Sequence, residues 1–155
     1  MIKHIKCDIF ESGADIICHQ VNCQGVMGSG VAKQVREKCP EVYKDYKALC
    51  NNENRKDDLL GTAQFCWVDG SEEQMIVNLF AQERYGYDGR CYTDYDALGA
   101  CLEKVALIGQ GYTIAIPYLM GCHRGGGDWN IVYKMIEEIF GDSDCEVLIC
   151  EYNGG

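Results

Sequence analysis

The chain has 155 residues, the length of one domain, with 47% apolar and 25% charged residues, which excludes a disordered or membrane-spanning chain as its main character. Acids outnumber bases by 24 to 14, a net charge of −10, so nucleic-acid backbones and anionic membrane surfaces are disfavoured as partners. A small anion held by backbone amides is not excluded, because that mechanism uses local dipoles rather than net charge.

At the N-terminus Met1-Ile2-Lys3-His4-Ile5-Lys6 lacks the long apolar segment of a secretory signal. Lys3 to Ile9 reads as an edge strand of less regular pattern. Ala14–Val21 reads as the first regular strand, and Val31 to Lys38 as a helix that ends near Pro40. Val42, Tyr46, Leu49 and Cys50 mark a second helix, followed by the polar loop 51–58. Thr62–Val68 and Met75–Phe80 are strand-like runs of β-branched and aromatic residues.

Further on, Leu98, Cys101, Leu102, Val105 and Ile108 recur at helical spacing. Thr93 with Asp96 is read as a capping box ahead of them, and Gly109 and Gly111 as the stop. Tyr112–Ile116 is the next strand. Asp128 is the candidate N-cap of a helix carrying Ile131, Val132, Met135, Ile136 and Ile139, and Glu146–Tyr152 is the last strand. Strands alternating with helices predict an α/β domain with a largely parallel sheet covered on both faces. Neither a linker nor an internal repeat divides the chain, so residues 1–155 are read as one domain.

Eleven cysteines are present, an odd number with no C-x-x-C pair. Cys18, Cys66, Cys101 and Cys150 lie in apolar runs, where a free thiol behaves as a small hydrophobe. A reduced, cytoplasmic setting is the expectation.

Two glycine-rich segments each follow a strand and precede a helix: Gly25-Val26-Met27-Gly28-Ser29-Gly30 and Gly121-Cys122-His123-Arg124-Gly125-Gly126-Gly127. Glycines there either make tight turns or let backbone N–H groups and a helix N-terminus approach a phosphate. Gly28-x-Gly30 continues to Lys33, so the dinucleotide fingerprint is incomplete. No P-loop motif occurs, and no arginine follows a cysteine at the spacing of a cysteine phosphatase. His19, on the strand entering the first loop, is either a satisfied core residue or a functional one. Strict alternation along that strand would put His19 and Asn22 on opposite faces, unless the strand ends before Asn22. His19, Cys23, Cys122 and His123 match no usual zinc spacing, so no metal is expected.

Cys7-Asp8-Ile9-Phe10, the run Val21 to Ala32, Ile116-Pro117-Tyr118-Leu119-Met120-Gly121-Cys122 and Gly127-Asp128-Trp129 together resemble the macrodomain family nearly end to end. The resemblance is strongest to the branch holding the yeast-type ADP-ribose-1″-phosphate phosphatase and the terminal ADP-ribose protein glycohydrolase. It implies a three-layer α/β/α sandwich around a mixed, mostly parallel sheet, with ADP-ribose lying across the strand ends. Asp8 matches the acid that accepts from the adenine amino group, and Ile9 the adjoining backbone contact. Asn22 matches the polar residue at the distal ribose.

By the same resemblance Gly25, Val26, Met27, Gly28, Ser29, Gly30 and Val31 form the first diphosphate loop. Met120, Gly121, Cys122, His123, Arg124, Gly125 and Gly126 form the second, and Tyr152 occupies the position of an aromatic that packs on adenine. His19 matches a histidine proposed as catalytic in the phosphatase, with Asn22 beside it. The lysine of the glycohydrolase branch is missing from Ala81-Gln82-Glu83-Arg84, and its partner acid from Cys122-His123-Arg124-Gly125. The implied activity is hydrolysis of an ADP-ribose derivative at the distal ribose, with no cofactor. ADP-ribose, a derivative of it or an ADP-ribosylated protein is the implied partner. A non-catalytic reader, and an antitoxin acting on an ADP-ribosylated nucleobase, are the alternatives.

Overall fold

The computed structural model describes residues 1–152; the last three residues of the 1–155 span read as one domain lie outside them. Six strands, β1 (Ile2–Lys6), β2 (Ile16–Asn22), β3 (Ala63–Trp67), β4 (Met75–Gln82), β5 (Thr113–Pro117) and β6 (Glu146–Glu151), form one sheet in the order β1-β6-β5-β2-β4-β3. Every neighbouring pair is parallel except β3 with β4, so the sheet is mixed and mostly parallel. Among the described residues four α-helices cover it: α1 (Gly30–Lys38), α2 (Pro40–Cys50), α3 (Tyr95–Ile108) and α4 (Trp129–Phe140).

Alternation along the strands assigns each side chain to one of two cores. Ile16, Cys18, Val77, Leu79, Ile114, Ile116, Val147 and Ile149 meet Leu98, Leu102 and Val105 of α3 and Val132, Ile136 and Phe140 of α4. On the other face Ile17, Val21, Ile76, Phe80 and Ala115 meet Val35 of α1 and Val42 and Tyr46 of α2. The result is a three-layer α/β/α sandwich. Strand β2 is buried along nearly its whole length, as a central parallel strand covered on both faces must be. All eleven cysteines are free thiols, and Cys18, Cys66, Cys101 and Cys150 are buried among these apolar residues. Among the described residues no helix is long and apolar enough to cross a membrane.

Local chemistry sets the helix ends. Pro40 opens α2 at its first turn, where its missing N–H is no loss. Asp128 caps α4 by accepting from Asn130 N–H. The cap of α3 is Asp94, whose carboxylate accepts from Ala97 N–H at 3.0 Å, and not Thr93 as the capping-box spacing suggests. Thr93 is instead drawn away to the second glycine loop, donating its hydroxyl proton to the Gly121 carbonyl at 2.6 Å.

The edge strand stops at Lys6, and Ile9 lies in a single 3-10 turn, Ile9–Glu11. Asp8 causes that change of direction, because its side chain accepts from Phe10 N–H at 2.9 Å. The polar loop at 51–58 contains a further single turn, Lys56–Asp58.

Candidate active site at the parting of two strands

Strands β2 and β4 pair along their whole length, but β2 and β5 share only two register pairs, Ile16 with Ile114 and Ile17 with Ala115. Beyond these the strands part at their carboxyl ends, the place where open α/β sheets bind ligands. A half-open cavity of about 450 Å³ fills the gap, within the size range of small-molecule sites. His19, Gln20, Val21 and Asn22 of β2 form one wall, and the segment from Pro117, the last residue of β5, to Gly121 faces them.

Asn22 organises the first glycine loop. Its side-chain carbonyl accepts from Gln24 N–H at 2.9 Å and from Val26 N–H at 3.4 Å, and its amide donates to the Val26 carbonyl at 2.8 Å. A register shift between Val21 and Asn22 breaks strict alternation. Asn22 is therefore turned toward α2, where Tyr46 reaches it, on the same side as the face to which Ile17, His19 and Val21 belong. The opposite-face placement expected from unbroken alternation does not hold.

The loop delivers Gly28, Ser29, Gly30 and Val31 to the cavity wall at the start of α1. Ser29, the N-cap of α1, makes no side-chain capping bond, so the first N–H groups of that helix have no side-chain acceptor.

The second loop is held from behind. Gly121 carbonyl accepts from Thr93 Oγ1 and from Gly127 N–H, and Gly125 carbonyl accepts from Tyr92 and Thr93 N–H. Leu119, where the chain leaves β5, has φ 64°, the one left-handed non-glycine among the described residues. Such strain clusters at ligand sites.

Tyr85, Gly86 and Tyr87, between β4 and α3, supply a third wall that sequence reasoning missed. The Arg124 guanidinium lies over the Tyr87 ring, 4.5 Å from its centroid. The aromatic–glycine–aromatic run was the available signal, but it carries no helix or strand period.

His19 is 1% exposed. Its Nε2 is 2.5 Å from Asn78 Oδ1 on β4, and its Nδ1 is buried with no partner among the described residues. Burial pushes its pKa down to about 4, against a smaller upward pull from the Asn78 bond, so the ring is neutral near pH 7. Gln20, on the opposite face, donates through Nε2 to Gln82 and to Thr93, tying β2 and β4 to the second loop.

Of the residues singled out in the sequence, Asp8, Ile9, His19, Asn22, Val26, Gly28, Ser29, Gly30, Val31, Met120, Gly121, His123, Arg124, Gly125 and Tyr152 line the cavity. Four do not. Gly25 backs onto Cys50 and Lys47 of α2, and Met27 is 1% exposed in the core. The Cys122 thiol turns away to the Met120 carbonyl, and Gly126 sits against the Arg90–Cys91 backbone. Tyr152 follows the last strand rather than lying on it, and it is 53% exposed. Among the described residues no group of three or more His, Cys, Asp or Glu converges as metal ligands would.

No family model matches the sequence. A DNA ADP-ribosyl glycohydrolase of Mycobacterium tuberculosis is 25% identical over 157 residues, covering 100% of this chain and 43% of that protein. An ADP-ribose 1″-phosphate phosphatase of Scheffersomyces stipitis is 36% identical over 70 residues, 41% of this chain and 40% of the relative. The chain thus spans well under half the length of either relative. The macrodomain of Mycobacterium tuberculosis DarG superposes with a TM-score of 0.80 at 24% identity, over 97% of both chains. Thermosipho africanus DarTG in complex with ADP-ribose gives 0.78 at 20% identity, over 97% of this chain and 41% of that one. With six mixed strands between helical layers, and two glycine loops at the strand ends, this chain has the macrodomain fold.

Proposed function

We propose that this chain binds ADP-ribose across the strand ends and hydrolyses a bond at the distal ribose of an ADP-ribose derivative. Asp8 has one carboxylate oxygen engaged by Phe10 N–H, and its other oxygen accepts from the adenine amino group. Tyr152 covers the ring. The diphosphate lies between the two loops, where it meets the α1 N-terminus that no side chain caps. Arg124 adds a cation at the rim. The distal ribose then reaches the β2–β4 end of the cavity, beside His19 and Asn22.

One observation carries the catalytic reading: His19, which lines the cavity, is a buried, neutral imidazole whose Nδ1 has no partner among the described residues. In hydrolysis of a 1″-phosphate, water adds to phosphorus, the bond from phosphorus to the C1″ oxygen breaks, and ADP-ribose and phosphate leave. His19 accepts the proton of the attacking water and returns it to the departing C1″ oxygen. A carboxylate ester of a modified protein is the other substrate class that fits. Asn22 contributes by bracing the first loop, since its carbonyl is occupied by loop N–H groups.

A reader without chemistry is the second reading. Gln82, at the end of β4, is tied to Gln20 and to the Arg84 carbonyl and offers no nucleophile. Calorimetry with ADP-ribose, AMP and ribose 5-phosphate tests binding. Micromolar affinity, about −8 kcal/mol, with both fragments much weaker, is expected. Phosphate release from ADP-ribose-1″-phosphate then separates the readings. His19→Ala is expected to abolish turnover with ADP-ribose affinity kept within about fivefold; tight binding by an unaltered chain that releases neither phosphate nor ester-linked ADP-ribose from a modified protein would establish the reader.

A further inference from the structure

Three polar side chains lie in a row across the sheet. The registers place Gln64 of β3 beside Asn78 of β4, and Asn78 beside His19 of β2. Each is bonded to the next: Asn78 Nδ2 donates to Gln64 Oε1 at 3.0 Å, and Asn78 Oδ1 lies against His19 Nε2. Asn78 is completely buried, where an apolar residue would otherwise be expected. It does not line the cavity, and packing alone does not call for an amide there.

We propose that Asn78, oriented by Gln64, is a positioning residue that fixes His19 as the Nε2–H tautomer and so leaves Nδ1 as a lone-pair acceptor for the attacking water. This rests on the hydrolytic reading of the site.

The argument is one of hydrogen-bond polarity. An amide has one accepting and one donating end. With its NH2 committed to Gln64, Asn78 presents only oxygen to His19, and an oxygen can be met only by an N–H. The ring is neutral, so the single proton sits on Nε2 and the remaining nitrogen, Nδ1, must accept. The reversed chain would place an N–H at Nδ1, a buried donor with no partner and unable to take a proton from water. The influences on the titration of His19 are burial and the Asn78 bond, with no charged side chain of β2, β4 or the covering helices among them. Tautomer, rather than charge, is thus what the row controls.

Long-range nitrogen–proton NMR of the labelled full chain reads the tautomer directly, and phosphate release from ADP-ribose-1″-phosphate across pH reads its consequence. The unaltered chain is expected to show protonated Nε2 and unprotonated Nδ1 at pH 7. Asn78→Asp keeps an acceptor at Nε2 and adds a negative charge, so His19 titrates at least about one pH unit higher and the acid limb of the rate moves with it. Gln64→Leu, on the edge strand where the fold tolerates change, releases the amide. It is expected to give mixed tautomers and a kcat lowered about tenfold with KM within about twofold, and Gln64→Glu restores both. An Nδ1–H ring in the unaltered chain overturns the proposal, as does a folded Gln64→Leu or Asn78→Asp with unchanged ring signals. An Nε2–H ring that responds to these variants, in a chain that releases neither phosphate nor ester-linked ADP-ribose from a modified protein, supports the row and overturns the hydrolytic reading instead.

Discussion

The Tyr46 hydroxyl lies 2.7 Å from the backbone carbonyl of Asn22 and 2.9 Å from its side-chain carbonyl. This couples the middle of α2 to the residue from which the first glycine loop departs. Tyr46 is fully buried, and it stacks on Phe80 with ring centroids 5.7 Å apart. Tyr46→Phe keeps the ring and removes the only O–H that reaches the Asn22 backbone carbonyl among the described residues. A loss of about 1–3 kcal/mol of stability follows from leaving a buried acceptor unpaired. Urea unfolding checks that loss, and calorimetry should show ADP-ribose affinity falling several-fold as the loop loosens.

Arg124 and Tyr87 join the second loop to the third wall of the cavity. The Tyr87 hydroxyl also comes within 3.7 Å of the position a Cβ would take on Gly28, so this ring spans from one glycine loop to the other. An exposed cation–π pair is worth about 0.5–1 kcal/mol. Tyr87→Ala is therefore expected to weaken ADP-ribose binding about two- to fivefold, chiefly by faster dissociation in stopped-flow displacement. Arg124→Ala should do the same. The double variant should lose less than the product of the two, because both remove one contact.

The elements with strong periods were legible in the sequence, because burial on both faces leaves β2, β4, β5 and β6 few alternatives. The two loops were legible for the same reason: each lies between a strand and a helix, and their glycines announce a turn. What escaped was non-local. Asn78 and Gln64 look like polar interruptions of strands until the register sets them beside His19. Tyr85 and Tyr87 sit in a segment with no period, and the Val21–Asn22 shift inverts a face in a way that alternation cannot foresee. Met27 and Cys122 lie in the loops yet point away from the cavity, since apolar side chains there fill the core behind.

Asp94 and Thr93 are neighbours with different duties, and their variants should separate them. Asp94→Ala removes the cap of α3, which costs about 1 kcal/mol, and ADP-ribose affinity should hold. Thr93→Ala leaves that cap intact but removes one of the two donors to the Gly121 carbonyl and one Gln20 contact. Both stability and affinity should then fall. Equal affinity in the two variants would show that Thr93 does not set the second loop.

His19 also makes folding pH-dependent. Its folded pKa, about 4, lies below the ordinary histidine value of 6.5. Between these values the unfolded chain binds a proton that the folded chain does not, so stability falls as pH drops from about 6.5 toward 4. The contribution is complete above the unfolded value and exhausted once the folded ring protonates. Urea midpoints from pH 7.5 to 4.5 for the unaltered chain and for His19→Gln check this. The variant starts less stable and loses less on acidification; parallel curves would mean that the ring titrates normally.

Two glycines on opposite loops should fail in opposite ways. A Cβ on Gly125 would lie 2.6 Å from the Gly121 carbonyl oxygen, a backbone atom that cannot move aside without opening the second loop. Gly125→Ala is expected to destabilise the fold by about 1–3 kcal/mol, the usual range for overpacking, and to lower affinity with it. Gly28 has ordinary space, its nearest neighbours being 3.6 and 3.7 Å from the added carbon, and no left-handed backbone forbids a side chain there. Gly28→Ala should therefore melt within about 2 °C of the unaltered chain. Its methyl group nevertheless stands on the cavity wall where a phosphate would press against the loop, so ADP-ribose affinity should drop tenfold or more. A thermal-shift titration measures both quantities on one sample. Unchanged affinity in Gly28→Ala would move the diphosphate out of the first loop and remove the main support for its placement.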